Sequence, residues 1–217
     1  EIGSGLTVED PTSYQDAVEI LKVHGLWEKM PSSVTHHLTK GLRGQIPETP
    51  KPGTPAFRRV HNVIVADNRT ACVGARDALR ADRIQTKILT SSAEMDANSA
   101  GKFLASLALE YKSHGQPTQS HRALIVGGET TLEVKGKGSG GRAQETALSA
   151  TEGIADLKGI AIAALGTDGI DGNSKAAGAI VDGETAFRAK RQGMNPRDYL
   201  ERNNSYRFFR RLNDNLV

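Results

Sequence analysis

The sequence lacks several features that mark whole classes of protein. It has one cysteine, Cys72, which excludes an internal disulfide, and the setting NRTACVGARDAL predicts a buried packing position inside a helix. No apolar run approaches the roughly 20 residues that a membrane span needs, and the N-terminus has neither a basic start nor a signal-like apolar core. We therefore expect a cytoplasmic protein with no membrane partner.

The chain also has only a small excess of positive over negative charge. The net charge is +3, and the arginine-rich runs FRAKRQG and SYRFFRRLN carry no nucleic-acid-binding motif, which predicts solvated helix faces and no nucleic-acid partner. His36 and His37 are adjacent, with no cysteine or carboxylate at ligand spacing, so we expect surface residues rather than metal ligands. With 217 residues, 37% of them hydrophobic, the chain can bury a sizeable core.

A connector with four prolines, GQIPETPKPGTPAF, divides the chain. It predicts two parts: residues 1–56, the end of an N-terminal domain with the connector, and residues 57–217, an α/β C-terminal domain. In the second part the apolar runs HNVIVAD, IQTKILT and HRALIVGG alternate with helical patterns. This alternation predicts βαβ units around a mainly parallel sheet, with a mixed-sheet C-terminal portion.

Ligands of such sheets bind beyond the carboxyl ends of the strands. Asp67 and Asn68 follow the first predicted strand, and Gly127 and Gly128 follow the third, so we expect them on one rim. For Asp67 and Asn68 the alternative is a helix N-cap, a position where Asp and Asn are preferred.

The stretch ETTLEVKGKGSGGRAQE places a glycine-rich loop between an amphipathic strand and a helix. Gly136, Gly138 and Gly141 match the spacing G-x-G-x-x-G of the dinucleotide-binding fingerprint. The fingerprint also requires a buried parallel strand before the loop and an acidic residue about 20 residues after it. Here the strand is amphipathic and Asp168 lies too far along the chain, so the match is weak. A Walker-type loop is excluded because no Gly-Lys-Ser/Thr opens the helix.

A more general function is consistent with this loop. Glycines let backbone amides approach an anion, the helix start adds positive dipole, and Lys135, Lys137 and Arg142 add full charges. Arg142 opposes the macrodipole at a cost of a few tenths of a kcal/mol unless an anion lies against it. We expect a phosphate or carboxylate site; the alternative is a mobile hairpin loop with a solvated arginine.

A second loop, GTDGIDGNSKAAGAIVD, follows the apolar run GIAIAAL, which predicts a buried strand. Asp168 and Asp171 could bind Mg²⁺, activate a hydroxyl, or do both, although aspartates in glycine-rich turns often serve only the turn. An anion site and a pair of acids on one sheet are what phosphoryl transfer from a nucleotide needs.

These two loops, together with NNSYRFF and SGLTVEDPTSYQDAVEILKVHGLW, resemble the glycerate 2-kinase family over nearly the whole chain. The chain departs from the family at Leu6, where the family has proline, and at Ala143, where it has asparagine. It also departs at 173–175, where the family has Pro-Thr-Asp. Family members are about twice as long, and their preceding Rossmann-like domain supplies a lysine. The resemblance therefore implies a cleft completed by a domain that is not in this chain.

The resemblance implies transfer of the ATP γ-phosphoryl group to D-glycerate, giving 2-phosphoglycerate, with ATP and Mg²⁺ as cofactors. Our role assignment makes Arg142, Asp168 and Asp171 catalytic, with both aspartates as Mg²⁺ ligands and Arg142 against the glycerate carboxylate or the moving phosphate. The expected substrate- and nucleotide-binding residues are Gly127, Gly128, Glu129, Thr130, Thr131, Lys137, Gly138, Gly140, Gly141 and Ser4. The alternatives are an NAD(P)-dependent hydroxypyruvate reductase and a non-catalytic nucleotide-binding module, and homo-oligomerisation is left open.

Overall fold

A computed structural model describes residues 7–115 and 123–217 of the chain. Its contacts divide into two compact units, Glu1–Val65 and Ala66–Val217. The first contains α1 (Tyr14–Val23), α2 (Ser32–Leu42) and two single turns of 3-10 helix, Trp27–Lys29 and Pro55–Phe57. Helix α1 begins in a capping box, in which Ser13 and Asp16 bond to each other's backbone amides.

The second unit opens with a parallel two-stranded sheet. Helix α3 (Asn68–Ala81) leads into β1 (Thr86–Asp96), and α4 (Ala97–His114) separates β1 from β2 (Ala123–Thr131). The register runs from Thr86 opposite Ala123 to Asp96 opposite Thr131, so both strands end at the same edge. This is the predicted βαβ unit, and the α/β class is confirmed.

The first predicted strand is wrong. Residues 61–67 have no regular structure, and Val63 and Val65 are 78% and 90% exposed. An apolar, β-branched run becomes a strand only where another strand accepts its hydrogen bonds, and within residues 7–115 and 123–217 none pairs with this segment. The composition of this segment therefore favours a strand but does not determine whether a second strand is available to pair with it.

The C-terminal part has its own antiparallel sheet, in the order β3-β4-β5, formed by β3 (Ala161–Leu165), β4 (Gly178–Asp182) and β5 (Asn215–Leu216). The predicted burial of β3 is wrong, because its residues alternate between exposed and half-buried. An antiparallel sheet can leave one face to water, whereas the buried strand that we expected would have both faces covered.

Helix α5 (Arg142–Ala150) lies in the centre of this unit, and the remaining helices are α6 (Thr185–Arg191), α7 (Pro196–Glu201) and α8 (Ser205–Leu212). Leu148 of α5 packs with Val181, Phe208 and Phe209, which are at most 1% exposed. Burial of each phenylalanine contributes about 1.5–3 kcal/mol. The packed body of α5 therefore holds its first residue, Arg142, in a fixed position.

Helices α4 and α5 pack at short range because Gly101 has no side chain. A Cβ at this position would collide with the Thr146 carbonyl oxygen, so the contact requires glycine. None of the helices among the residues described combines the length and apolar character needed to cross a bilayer.

Candidate functional site

The two loops that the sequence singles out lie against each other. We define the glycine loop as residues 135–141 and the acidic turn as residues 166–172. Asn173 joins them: its Oδ1 accepts a 2.9 Å hydrogen bond from the Gly140 amide, and its own amide donates to the Gly140 carbonyl oxygen over 3.3 Å. Gly172 has φ +60°, and a Cβ there would collide with the same carbonyl. The expectation that both loops belong to one sheet is wrong, because the glycine loop follows β2 of the parallel sheet and the acidic turn lies between β3 and β4 of the antiparallel sheet.

Asp171 is 3% exposed and caps α5 from outside the helix. Its Oδ1 accepts a hydrogen bond from the Ala143 amide (3.0 Å), and its Oδ2 accepts from the Gln144 amide (2.8 Å) and side chain (3.0 Å). The Ala143 and Gln144 amides are at the start of the helix, where backbone amides have no acceptor within the helix. The residue before the helix, Gly141, has no side chain that could accept from them. The geometry favours a positioning role for Asp171 over the predicted metal-ligating one.

Asp168 is the exposed acid of the turn. Its Oδ1 accepts a 3.3 Å hydrogen bond from the Ile170 amide, the local pattern of an Asx turn. No group of three or more metal-ligating side chains occurs in the described part of the chain. Mg²⁺ often uses one or two carboxylates together with nucleotide phosphates, so Asp168 fits such an ion and Asp171, whose oxygens serve α5, does not.

Arg142 lies at the rim between α5 and β2. Its Nη2 is 2.7 Å from Glu129 Oε1, and the two side chains are 52% and 46% exposed. A pair this exposed contributes at most about 1 kcal/mol, so the guanidinium can exchange Glu129 for another anion. Asp171 and Glu129 together offset the cost of a cation at the helix start, and no bound anion is needed to explain it.

The end of β2 packs against the protein's own atoms. A Cβ on Gly127 would collide with Cys72 Sγ, and one on Gly128 would collide with the Ala93 backbone. Both glycines lie within β2 and not after a strand as predicted, and both have a packing explanation. The other predicted residues of this strand end, Glu129, Thr130 and Thr131, lie opposite Glu94, Met95 and Asp96 of β1.

Asp67 is the N-cap of α3, which was the alternative to a ligand role. Its Oδ1 accepts hydrogen bonds from the amide and the hydroxyl of Thr70 over 2.7 and 2.6 Å. The Thr70 hydroxyl is the main reason that the pKa of Asp67 lies below its usual value. The Asn68 side chain donates to the Ser91 carbonyl oxygen over 2.6 Å and lies beside Gly127.

The glycine loop is anchored rather than free, which argues against the mobile-hairpin alternative. The Gly138 amide donates to the Arg202 carbonyl oxygen and the Gly140 amide donates to Asn173, so two of the predicted phosphate donors already have partners. Lys137 is exposed. The Lys137 and Gly141 amides make no hydrogen bond to any residue that the structure describes. The predicted binding residue Ser4 lies outside the described residues.

Comparison with known proteins identifies the two segments. Residues 122–217 match the model of the MOFRL family, and residues 1–39 match that of DUF4147, a domain of unknown function. We call this segment, residues 122–217, the MOFRL region. The MOFRL region contains the glycine loop, Arg142 and the acidic turn, and it is the part of the chain in which the candidate site lies.

Relatives confirm the resemblance to the glycerate 2-kinase family. A glycerate 2-kinase of Pyrococcus horikoshii is 42% identical over 97% of this chain and 47% of its own length. A D-glycerate 2-kinase of Thermotoga maritima is 36% identical over 94% of this chain and 46% of its own. A crystal structure of a glycerate kinase from Thermotoga maritima aligns with a TM-score of 0.74 at 34% identity, covering 96% of this chain and 47% of that one.

The chain spans about half the length of the curated relatives that it matches. A more distant relative from Agrobacterium vitis, 33% identical over 219 residues, is provisionally named a hydroxypyruvate reductase. It covers 100% of this chain and 48% of its own length. The relative named a reductase is thus less similar to this chain than the two glycerate 2-kinases are.

Sequence reasoning missed the buried polar residues that hold the site together. Glu145 is fully buried on α5, where its Oε1 accepts a 3.0 Å hydrogen bond from Asn203 Nδ2. Burial raises the pKa of Glu145, and the nearby Asp171 carboxylate raises it further. The sequence shows only a glutamate in the first turn of the predicted helix, and nothing local links it to a residue 58 positions away.

Proposed function

We propose that the MOFRL region carries the anion-binding part of an ATP-dependent glycerate 2-kinase, which transfers the γ-phosphoryl group to the 2-hydroxyl of D-glycerate. One observation supports this most: the glycine loop, the exposed guanidinium of Arg142 and the acidic turn lie side by side. The site thus brings a cationic clamp and a carboxylate to one place, and phosphoryl transfer relies chiefly on positioning and charge neutralisation. The names of the relatives give the substrate.

Arg142 is the proposed catalytic cation. Its planar fork of donors suits either the glycerate carboxylate or the phosphoryl group in transfer. The ion pair with Glu129 orients the guanidinium of Arg142. Because the pair is exposed and therefore weak, a substrate anion can replace Glu129 at little cost in free energy. Release of Glu129 would then accompany substrate binding.

Lys137 is the proposed phosphate contact of the glycine loop. Its side chain is exposed, whereas Gly141 is buried directly before α5 and packs against Asp171. The Gly138 and Gly140 amides keep the loop in shape through their own partners. This assignment narrows the broader set of donors expected from the sequence.

Asp168 is the residue proposed to hold Mg²⁺ together with phosphate oxygens. The ion would neutralise phosphate charge when bound. Asp171 acts differently, through its hydrogen bonds to α5, and fixes the direction in which Arg142 leaves the helix. The paired acids of the turn thus have separate roles.

Two measurements test the proposal. Calorimetry on the 217-residue chain should detect binding of ATP with Mg²⁺. A chimera in which the chain replaces the matching half of the Thermotoga enzyme should convert ATP and D-glycerate to 2-phosphoglycerate, identified by phosphorus NMR. NADH consumption with hydroxypyruvate, without ATP, would instead establish the reductase. A folded chimera that binds nucleotide and turns over neither substrate would establish a binding module.

A further inference from the structure

The turn between α7 and α8, residues 202–204, clasps the glycine loop. The Gly138 amide donates to the Arg202 carbonyl oxygen over 3.0 Å, and the Ser139 amide donates to Asn204 Oδ1 over 3.2 Å. The Tyr206 amide donates back to the Ser139 carbonyl oxygen over 2.9 Å. Asn203 and Asn204 of this turn begin the NNSYRFF motif, residues 203–209.

Asn203 is the centre of the clasp, because its side chain uses all of its hydrogen-bonding groups. Its Oδ1 accepts from the amides of Lys135 (2.7 Å) and Gly136 (2.8 Å). Its Nδ2 donates to the Glu133 carbonyl oxygen (3.3 Å) and to Glu145 Oε1 (3.0 Å). The residue has φ +48°, a left-handed conformation that asparagine tolerates better than most residues.

Glu145 connects this clasp to the helix that carries Arg142. It lies three residues after Arg142, on the buried side of α5, and is 0% exposed. Its Oε2 is buried without a hydrogen-bond partner among the residues described, so the carboxyl group is oriented by the hydrogen bond to Asn203. A buried carboxyl group with an unsatisfied oxygen is costly to keep, which suggests a role beyond simple packing.

We propose that Asn203, oriented by Glu145, is a positioning residue that fixes the start of the glycine loop relative to Arg142. This inference rests on the proposed function of the loop. Asn203 binds the amides of residues 135 and 136, which come directly before Lys137. Its hydrogen bond to Glu145 links this part of the loop to α5. The hydrogen bond between these two buried side chains therefore ties the start of the loop to the helix that carries Arg142, in addition to the bonds that hold Gly138 and Gly140.

The test exchanges donor and acceptor between the two residues. Asn203→Asp keeps the shape but places a second carboxyl against Glu145 and removes the donor. Glu145→Gln alone keeps an acceptor for Asn203. The double variant N203D/E145Q restores the hydrogen bond in the opposite direction, because the glutamine amide can donate to the aspartate. Asn195→Asp is the matched control, since Asn195 is an exposed N-cap where aspartate serves equally well.

Two readouts are measured on the 217-residue chain: the Kd of ATP with Mg²⁺, and hydrogen exchange at the Lys135 and Gly136 amides. N203D should weaken ATP binding by about tenfold or more and accelerate both amides, and the double variant should return Kd to within about threefold of wild type. The control should change neither readout.

The proposal is overturned if N203D lowers the thermal midpoint but leaves Kd within about threefold, since a merely structural residue would behave so. It is also overturned if the double variant stays as impaired as N203D. A wild-type chain that does not bind ATP would refute the proposed function. In that case, unchanged exchange at Lys135 and Gly136 in N203D would separately refute the clasp.

Discussion

At the scale of single residues, the site depends on how each charge is satisfied. Arg142 and Glu129 form an exposed ion pair, whereas Asp171 and Glu145 are buried. Glu145 belongs to the first turn of α5, and Asp171 reaches that turn from the acidic turn. Exposed charges can exchange partners at little cost, and buried ones cannot. The exposed residues are thus suited to contact ligand, and the buried ones to hold the scaffold.

Arg142→Ala should lower kcat/KM of the Thermotoga chimera by at least about 10²-fold, because it removes an electrostatic donor from the transferring charge. The thermal midpoint should change little, since the side chain is about half exposed. Steady-state kinetics with D-glycerate measures the effect, and Arg210→Ala, at an exposed position of α8, is the control. A loss of less than about threefold for Arg142→Ala would refute its role.

Glu145 should make stability depend on pH. Its folded pKa is raised, so above about pH 4.5 the folded state retains a proton that the unfolded state has lost. Stability is then fully present below that pH and is lost as the pH rises through the folded pKa. Glu145→Gln should flatten this dependence and unfold at a higher urea concentration than wild type at pH 8.

Urea unfolding between pH 4 and pH 8 measures the difference. Glu201→Gln, at an exposed position of α7, is the control and should reproduce the wild-type slope. Parallel curves for wild type and Glu145→Gln would show that the carboxyl group titrates normally, which would remove the physical basis of the prediction.

At the scale of elements, α5 is the component on which the site is built. Its body is buried against the C-terminal core, its first residue carries the guanidinium, and its orphan amides are capped by a side chain from another loop. The cap and the site therefore share the same backbone. Loosening the cap should disturb both.

Asp171→Ala should lower the free energy of unfolding by about 3 kcal/mol, because buried amides at the start of α5 lose a charged acceptor. Asp168→Ala, three residues away on the same turn, should cost less than about 0.5 kcal/mol, because that side chain is exposed. Chemical denaturation compares the two variants. Equal costs would contradict the separate roles assigned to the two acids.

Some of these elements could be predicted from the sequence and others could not. The helix start at Arg142 follows from a glycine run meeting a helical pattern, and the βαβ unit follows from alternating periodicities. Residues 61–67 have the same apolar pattern as β1 yet form no strand, because pairing depends on a neighbour that composition does not specify. The hydrogen bond between Glu145 and Asn203 was unpredictable for a related reason: it joins residues 58 positions apart.

At the scale of the whole molecule, the chain forms two compact units, and the candidate site lies in the second. The MOFRL region contains the residues proposed to contact anions, whereas the relatives that the chain matches are about twice as long. The proposed function therefore allows nucleotide binding and catalysis to be measured separately. We expect the 217-residue chain to bind ATP with Mg²⁺, and the chimera to complete the reaction.

The central claim is that the glycine loop and the acidic turn form a single pocket for negative charge. Amide NMR of the ¹⁵N-labelled chain, titrated with ATP and Mg²⁺ and then with D-glycerate, tests it most directly. The account predicts that the amides of residues 137–142 and 168–170 shift together and saturate at one ligand concentration. Shifts confined to other parts of the chain, or to one of the two loops alone, would contradict it.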